Sequence, residues 1–242
     1  MQLLVEKGWR NFDVMSVIDL MLIEAFSPKT RSVGTDAKEP WHILEVGGGF
    51  GRLTEMAFLT KRFEKLQYVM IDAVPVSVAY STQYLKKRLG DLVYTVDDGK
   101  LPDKDENYVF ILPSWRINEY RDLPFMKDFD VCVNFDSFQE MDERNVTNYI
   151  RLFDDKLKPG GIAYLSNSRD WKYKRKYNYP KTWQPLLKQR GPRSYYTRNH
   201  PLEVFSKRFD DFSGQQRVRD FFYEVMDLRN WDMVKAADKV KK

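Results

Sequence analysis

The chain has 242 residues, 43% apolar and 15% aromatic, with a net charge of +5, enough for one substantial α/β core without a second domain. No apolar run approaches the roughly 18 residues of a membrane span, and no charged segment precedes an apolar signal core, so a soluble, cytoplasmic protein is expected. One cysteine, Cys132, excludes an intramolecular disulfide, and with only His42 and His200 beside it the composition offers no zinc-type cluster.

Apolar residues Phe12, Met15, Ile18, Leu22, Ala25 and Phe26 recur at helical spacing, and Pro28 follows, which predicts an amphipathic helix over residues 9–26. Residues 27–40, rich in Ser, Thr, Gly, Lys and Pro, read as a connection. Residues 1–40 are therefore an N-terminal extension to a main domain over 41–242. From there strand and helix signals alternate: a strand over 42–46, a helix over 51–65, a strand over 68–71 ending at Asp72, and a helix to about residue 88. Two apolar runs follow, 92–96 and 108–112, of which the second is taken as the third sheet strand. The fourth strand is expected over 130–135, a helix over 142–157, a Lys158-Pro159-Gly160-Gly161 turn, and the fifth strand over 162–166. Alternating βα units of this size predict a doubly wound, mostly parallel α/β sheet with C-terminal additions. Those additions include a late strand over 201–205 and a final helix over 221–240.

The first strand runs into Glu45-Val46-Gly47-Gly48-Gly49-Phe50-Gly51-Arg52, a loop whose glycines let backbone approach a ligand without Cβ clashes. A dinucleotide loop, G-x-G-x-x-G counted from Gly47, needs glycine where the chain has Arg52. Asp72 closes the second strand 21 residues after Gly51, the place from which an acidic residue hydrogen-bonds ribose hydroxyls. It suits equally the N-terminus of the helix that Pro75 opens.

Glu45 with Gly47, Gly49 and Gly51 resembles the first motif of class I S-adenosylmethionine methyltransferases, E/D-x-G-x-G-x-G, and the Lys158–Gly161 turn resembles the one before their fifth strand. Together with Met70-Ile71-Asp72 and Ser137-Phe138-Gln139-Glu140-Met141, these blocks resemble the sugar O-methyltransferases of bacterial surface-polysaccharide pathways, over about residues 40–170. The resemblance implies a Rossmann-like methyltransferase domain with S-adenosylmethionine as cofactor and a sugar, nucleotide-sugar or glycan as acceptor. It puts Glu45, Gly47, Gly48, Gly49, Gly51, Arg52, Asp72, Ala73 and Asn134 at the cofactor, and Ser114 and Trp115 at its adenine. Trp115 would serve equally in the core. The loop after the fourth strand would face the methyl group.

Methyl transfer to a hydroxyl needs alignment and a proton acceptor. Asp136, Glu140 and His200 are the candidates, although Glu140, followed by Asp142 and Glu143, also fits an acidic helix opening. Asp136 and Asn167 suit oxygen ligation, but no third acid joins them, so no metal is expected. Between residues 171 and 219 stand 13 Lys/Arg against three acids, and aromatics alternate with cations over 171–179. Residues 168–200 therefore read as a basic, aromatic insertion on the substrate side. Two other readings remain: a nucleic-acid methyltransferase using that segment, disfavoured because no Asn-Pro-Pro-Tyr-like element follows the fourth strand, and a non-catalytic adaptor retaining the fold.

Overall fold

The computed structural model describes residues 11–27, 39–168, 177–190 and 200–208. Most of the connection after residue 27, residues 169–176 and 191–199 of the basic segment and the expected C-terminal helix lie outside them. In chain order the elements are α1 (Asn11–Phe26), β1 (Trp41–Val46), α2 (Arg52–Leu59), β2 (Leu66–Asp72), α3 (Pro75–Leu89), β3 (Val93–Thr95), β4 (Tyr108–Pro113), α4 (Ile117–Tyr120), β5 (Phe129–Phe135), α5 (Glu143–Lys156), β6 (Leu157–Ser166), β7 (Trp183–Arg190) and β8 (Pro201–Lys207).

Every residue of β2, β4 and β5 is buried, as their near-continuous apolar runs require when helices cover both faces of a parallel sheet. The eight strands are ordered β3-β4-β2-β1-β5-β6-β8-β7. Strands β1 to β6 pair in parallel, while β8 lies antiparallel to both β6 and β7. This is a doubly wound, mostly parallel α/β sheet of Rossmann-like form. On one face α1, α2 and α3 bury Leu20, Ile23, Leu53, Met56 and Leu85 against Ile43, Tyr68 and Met70. On the other, α5 buries Val146, Ile150 and Phe153 against Leu44, Val69 and Cys132. The spacing 146, 150, 153 is one stripe of an α-helix, and Asp142 caps its start by accepting from the Asn145 amide at 2.8 Å.

Four local outcomes differ from the sequence expectation, each for a physical reason. Helix α2 ends at Leu59 rather than near Lys65: the Thr60 hydroxyl bonds the Met56 carbonyl at 2.8 Å and Lys61 turns to φ 50°, a left-handed step that cannot continue a helix. Both apolar runs between α3 and α4 enter the sheet, β3 as a short edge strand on β4. The Lys158–Gly161 segment is part of β6, with an irregular register against β5. A Cβ on Gly161 would stand 2.9 Å from the Phe129 carbonyl oxygen, so this close pairing needs glycine. Finally, β7 forms despite Pro185, because it is an edge strand whose register breaks between Pro185 and Leu187, the setting in which a sheet tolerates proline.

Candidate functional site

Chain direction across the sheet reverses between β1 and β5: β1 leads to β2 on one side, β5 to β6 on the other. At such a switch point the connections diverge and leave a crevice beyond the carboxyl ends of the strands. The glycine loop follows β1 and the residue 136–141 loop follows β5, so both motifs face that crevice.

The two loops are tied into one unit. Gly47 donates its amide to the Ile71 carbonyl at 2.7 Å and the Gly51 amide closes the turn on the Gly48 carbonyl at 2.9 Å. Buried Asn134 donates through Nδ2 to the Val46 carbonyl at 2.7 Å and to Ser137 Oγ at 2.5 Å, and its Oδ1 accepts the Phe138 amide at 3.2 Å. Ser137 thereby sits where a Cβ on Gly47 would be, and Gly47 has φ 75° besides. Gly49, at φ 55°, differs: nothing lies within 4 Å of the place its Cβ would take. The backbone there borders open space that a ligand can fill.

Asp72, 6% exposed, accepts the Gly49 amide at 2.8 Å through Oδ2 and the Val74 amide at 2.8 Å through Oδ1. The carboxylate thus holds the loop and starts α3 at once. Glu45, 4% exposed, lies under the loop, its Oε2 accepting from the Tyr68 hydroxyl at 2.8 Å and the Thr54 hydroxyl at 3.2 Å. Burial and the Glu45 charge push the Tyr68 hydroxyl well above its usual pKa, so the tyrosine stays a donor.

A cavity of about 160 Å³ opens beside these groups and includes Ser16, Glu45, Gly47, Phe50, Arg52 and Asp136 in its lining. Arg52 Nε stands 3.6 Å from Asp13 Oδ1 on α1. Ser16 and Phe50 were missed by the sequence reading. Phe50 stands inside the glycine motif, which could have flagged it, whereas nothing in its own segment marks Ser16 as a pocket residue. Phe50 is also exposed, with its ring 4.7 Å from that of Tyr80.

Asp136 adopts φ 57° and donates its amide to the Ser166 carbonyl at 2.9 Å. Its Oδ1 lies 3.3 Å from His200 Nε2; the His200 side chain is 3% exposed and that of Asp136 44%. The chain thus brings together two of the three proton-acceptor candidates, with only Asp136 facing the opening. Glu140 is exposed and does not line the cavity. Ala73 is exposed after β2. Ser114 and Trp115 follow β4, and Trp115 at 56% exposure is a surface residue, not a core one. Asn167 turns its Oδ1 to the Phe138 amide at 3.1 Å.

No protein-family model matches the chain, and no curated protein matches it. Among solved structures, it is similar to PKMT2 from Rickettsia typhi in complex with AdoHcy, with 15% identity over 60% of this chain and 24% of that one, at a TM-score of 0.40. It is similar to the PH0226 protein from Pyrococcus horikoshii OT3, with 15% identity over 78% and 90% of the two chains and a TM-score of 0.46. TrmN from Thermus thermophilus has 13% identity over 81% of this chain and 48% of its own, at 0.49. The chain spans 24%, 25% and 45% of the lengths of three of the structures it resembles, two of them of the Rickettsia protein.

Proposed function

We propose that the chain is an S-adenosylmethionine-dependent O-methyltransferase acting on a sugar-containing acceptor. The observation that carries this reading is the meeting, at the β1/β5 switch point, of the glycine loop, Glu45, Arg52 and Asp136 around one cavity, with Asp72 bonded to the loop at Gly49 and His200 beside Asp136. A cofactor with ammonium and sulfonium centres suits a site lined by Glu45 and Asp136 with Asp72 at its edge, and Arg52 suits its carboxylate. Open backbone at Gly49 leaves room for it, and the position of Asp72 at the end of β2, beside the glycine loop, supports a role at its ribose. When bound, the cofactor supplies an electrophilic methyl group.

Transfer to a hydroxyl releases one proton, and the chain must take it. Asp136 is the group exposed to the cavity. His200 is buried behind it and acts as a positioning residue, its Nε2 3.3 Å from the carboxylate. The choice of a sugar acceptor rests on the likeness of the Ser137–Met141 block to sugar O-methyltransferases.

Titration calorimetry with S-adenosylhomocysteine tests the cofactor. Wild type should bind in the micromolar range, and Asp72→Ala should bind at least about tenfold more weakly, some 1.4 kcal/mol. No binding by wild type would overturn the reading. Transfer of labelled methyl to RNA but not to nucleotide sugars would overturn the acceptor.

A further inference from the structure

A second cavity, of about 520 Å³, lies between α4 and α5 and shares no lining residue with the first. Its lining carries Arg121 and Arg151, the amides of Asn118, Asn145 and Asn148, and Tyr149; no carboxylate is among its described lining residues. That volume falls within the roughly 300–1,000 Å³ of small-ligand sites, and the donors outnumber the acceptors. Arg121 stands 4.0 Å from Asp122 and 3.8 Å from Asp155, beyond hydrogen-bond length. Arg151 enters no ion pair among the described residues.

We infer that this cavity binds the phosphate group of a small phosphorylated ligand. A guanidinium presents parallel N–H donors that match two phosphate oxygens, and side-chain amides can donate to the rest. Two such forks with the amides of Asn118 and Asn148, and no carboxylate in the lining, favour a doubly charged anion over a neutral sugar, the Asn145 amide being engaged by Asp142 at 2.9 Å. The site adjoins the crevice: Ser114 at the end of β4 lines it. Burial pushes the Tyr149 hydroxyl above its usual pKa, so it stays a donor.

The full chain is titrated separately with inorganic pyrophosphate and with ADP, by calorimetry. At least one probe should bind saturably. Arg151→Ala and Arg121→Ala should each weaken it about tenfold, the effect of losing a charge-assisted hydrogen bond. Arg151→Lys, which keeps the charge but not the fork, should fall between, and Lys87→Ala, a cation outside the cavity, should match wild type. Equal affinity for the two probes identifies the phosphate alone as the ligand; tighter ADP binding identifies a nucleotide. Both arginines are exposed, so their removal leaves the core intact. No saturable binding of either probe in the millimolar range, or unchanged binding when Arg121→Ala and Arg151→Ala are combined, would overturn the inference. Neither titration involves S-adenosylhomocysteine, so this outcome is independent of the proposed activity.

Discussion

Gly47 is held by two separate demands, and a pair of substitutions separates them. Its φ of 75° costs an L-residue roughly 1–2 kcal/mol, and a Cβ there would also overlap Ser137, an overpacking cost of about 1–3 kcal/mol. Gly49 carries only the first demand, with φ 55° and open space beyond. Gly47→Ala should therefore lower unfolding stability by at least about 2 kcal/mol, and Gly49→Ala by about 1. Equal losses in urea melts would show that Ser137 yields freely. The same resolution applies to the proton acceptor. Asp136→Asn should lower kcat by about 10²–10⁴, the usual worth of a general base. His200→Gln, which keeps a donor toward Asp136, should lower kcat less. If His200→Gln cost more in kcat than Asp136→Asn, the roles would be reversed.

Helix α1 shows what an element contributes when its own segment predicts only packing. It covers the sheet with Leu20, Ile23 and Phe26, supplies Ser16 to the cavity, and buries Asp19, whose Oδ1 accepts the Tyr164 hydroxyl from β6 at 2.8 Å. Tyr164→Phe keeps the ring and removes that donor, so it should cost about 1–3 kcal/mol, the price of weakening a buried carboxylate's hydrogen bonding. A loss below about 0.5 kcal/mol in denaturant melts would mean that Asp19 is satisfied without it. Apolar runs and glycine spacing made β1, β2, β4, β5 and the Gly47–Gly51 loop legible, because each carries its pattern within a few consecutive residues. Asp72 was legible as an acid opening α3, since Pro75 stands close behind it and its Oδ1 accepts the Val74 amide. Strand β7 was not, since Pro185 reads as a breaker unless the strand is known to lie at the edge. Nor was the Asp136–His200 pairing, because β8 brings His200 across from a distant part of the chain. Ser16 depends likewise on how α1 docks, which no local pattern encodes.

Across the whole molecule, groups kept neutral by burial make stability depend on alkaline pH. Burial holds the Cys132 thiol and the Tyr68 hydroxyl well above their usual pKa values, and raises Tyr108 as well. Tyr84, which donates to Glu55 at 2.5 Å and so ties α3 to α2, is pushed up to about 12 by burial and by that carboxylate. In the unfolded chain the thiol ionises near pH 8.5 and tyrosines near 10. Above those values the unfolded state binds fewer protons than the native one, so stability falls as pH rises; below them the contribution is fully present. Cys132 should start the decline at about pH 8.5 and the tyrosines should steepen it above about 10, each fully buried group adding up to about 1.4 kcal/mol per pH unit. Cys132→Ala leaves a cavity but removes the titrating thiol. Its urea midpoint should be lower at pH 7 yet fall less steeply from about pH 8.5 upward, with the tyrosines still steepening the fall above about 10. A variant that tracked the wild-type slope through that window would show that the thiol ionises in the folded protein, and that the centre of the sheet admits charge.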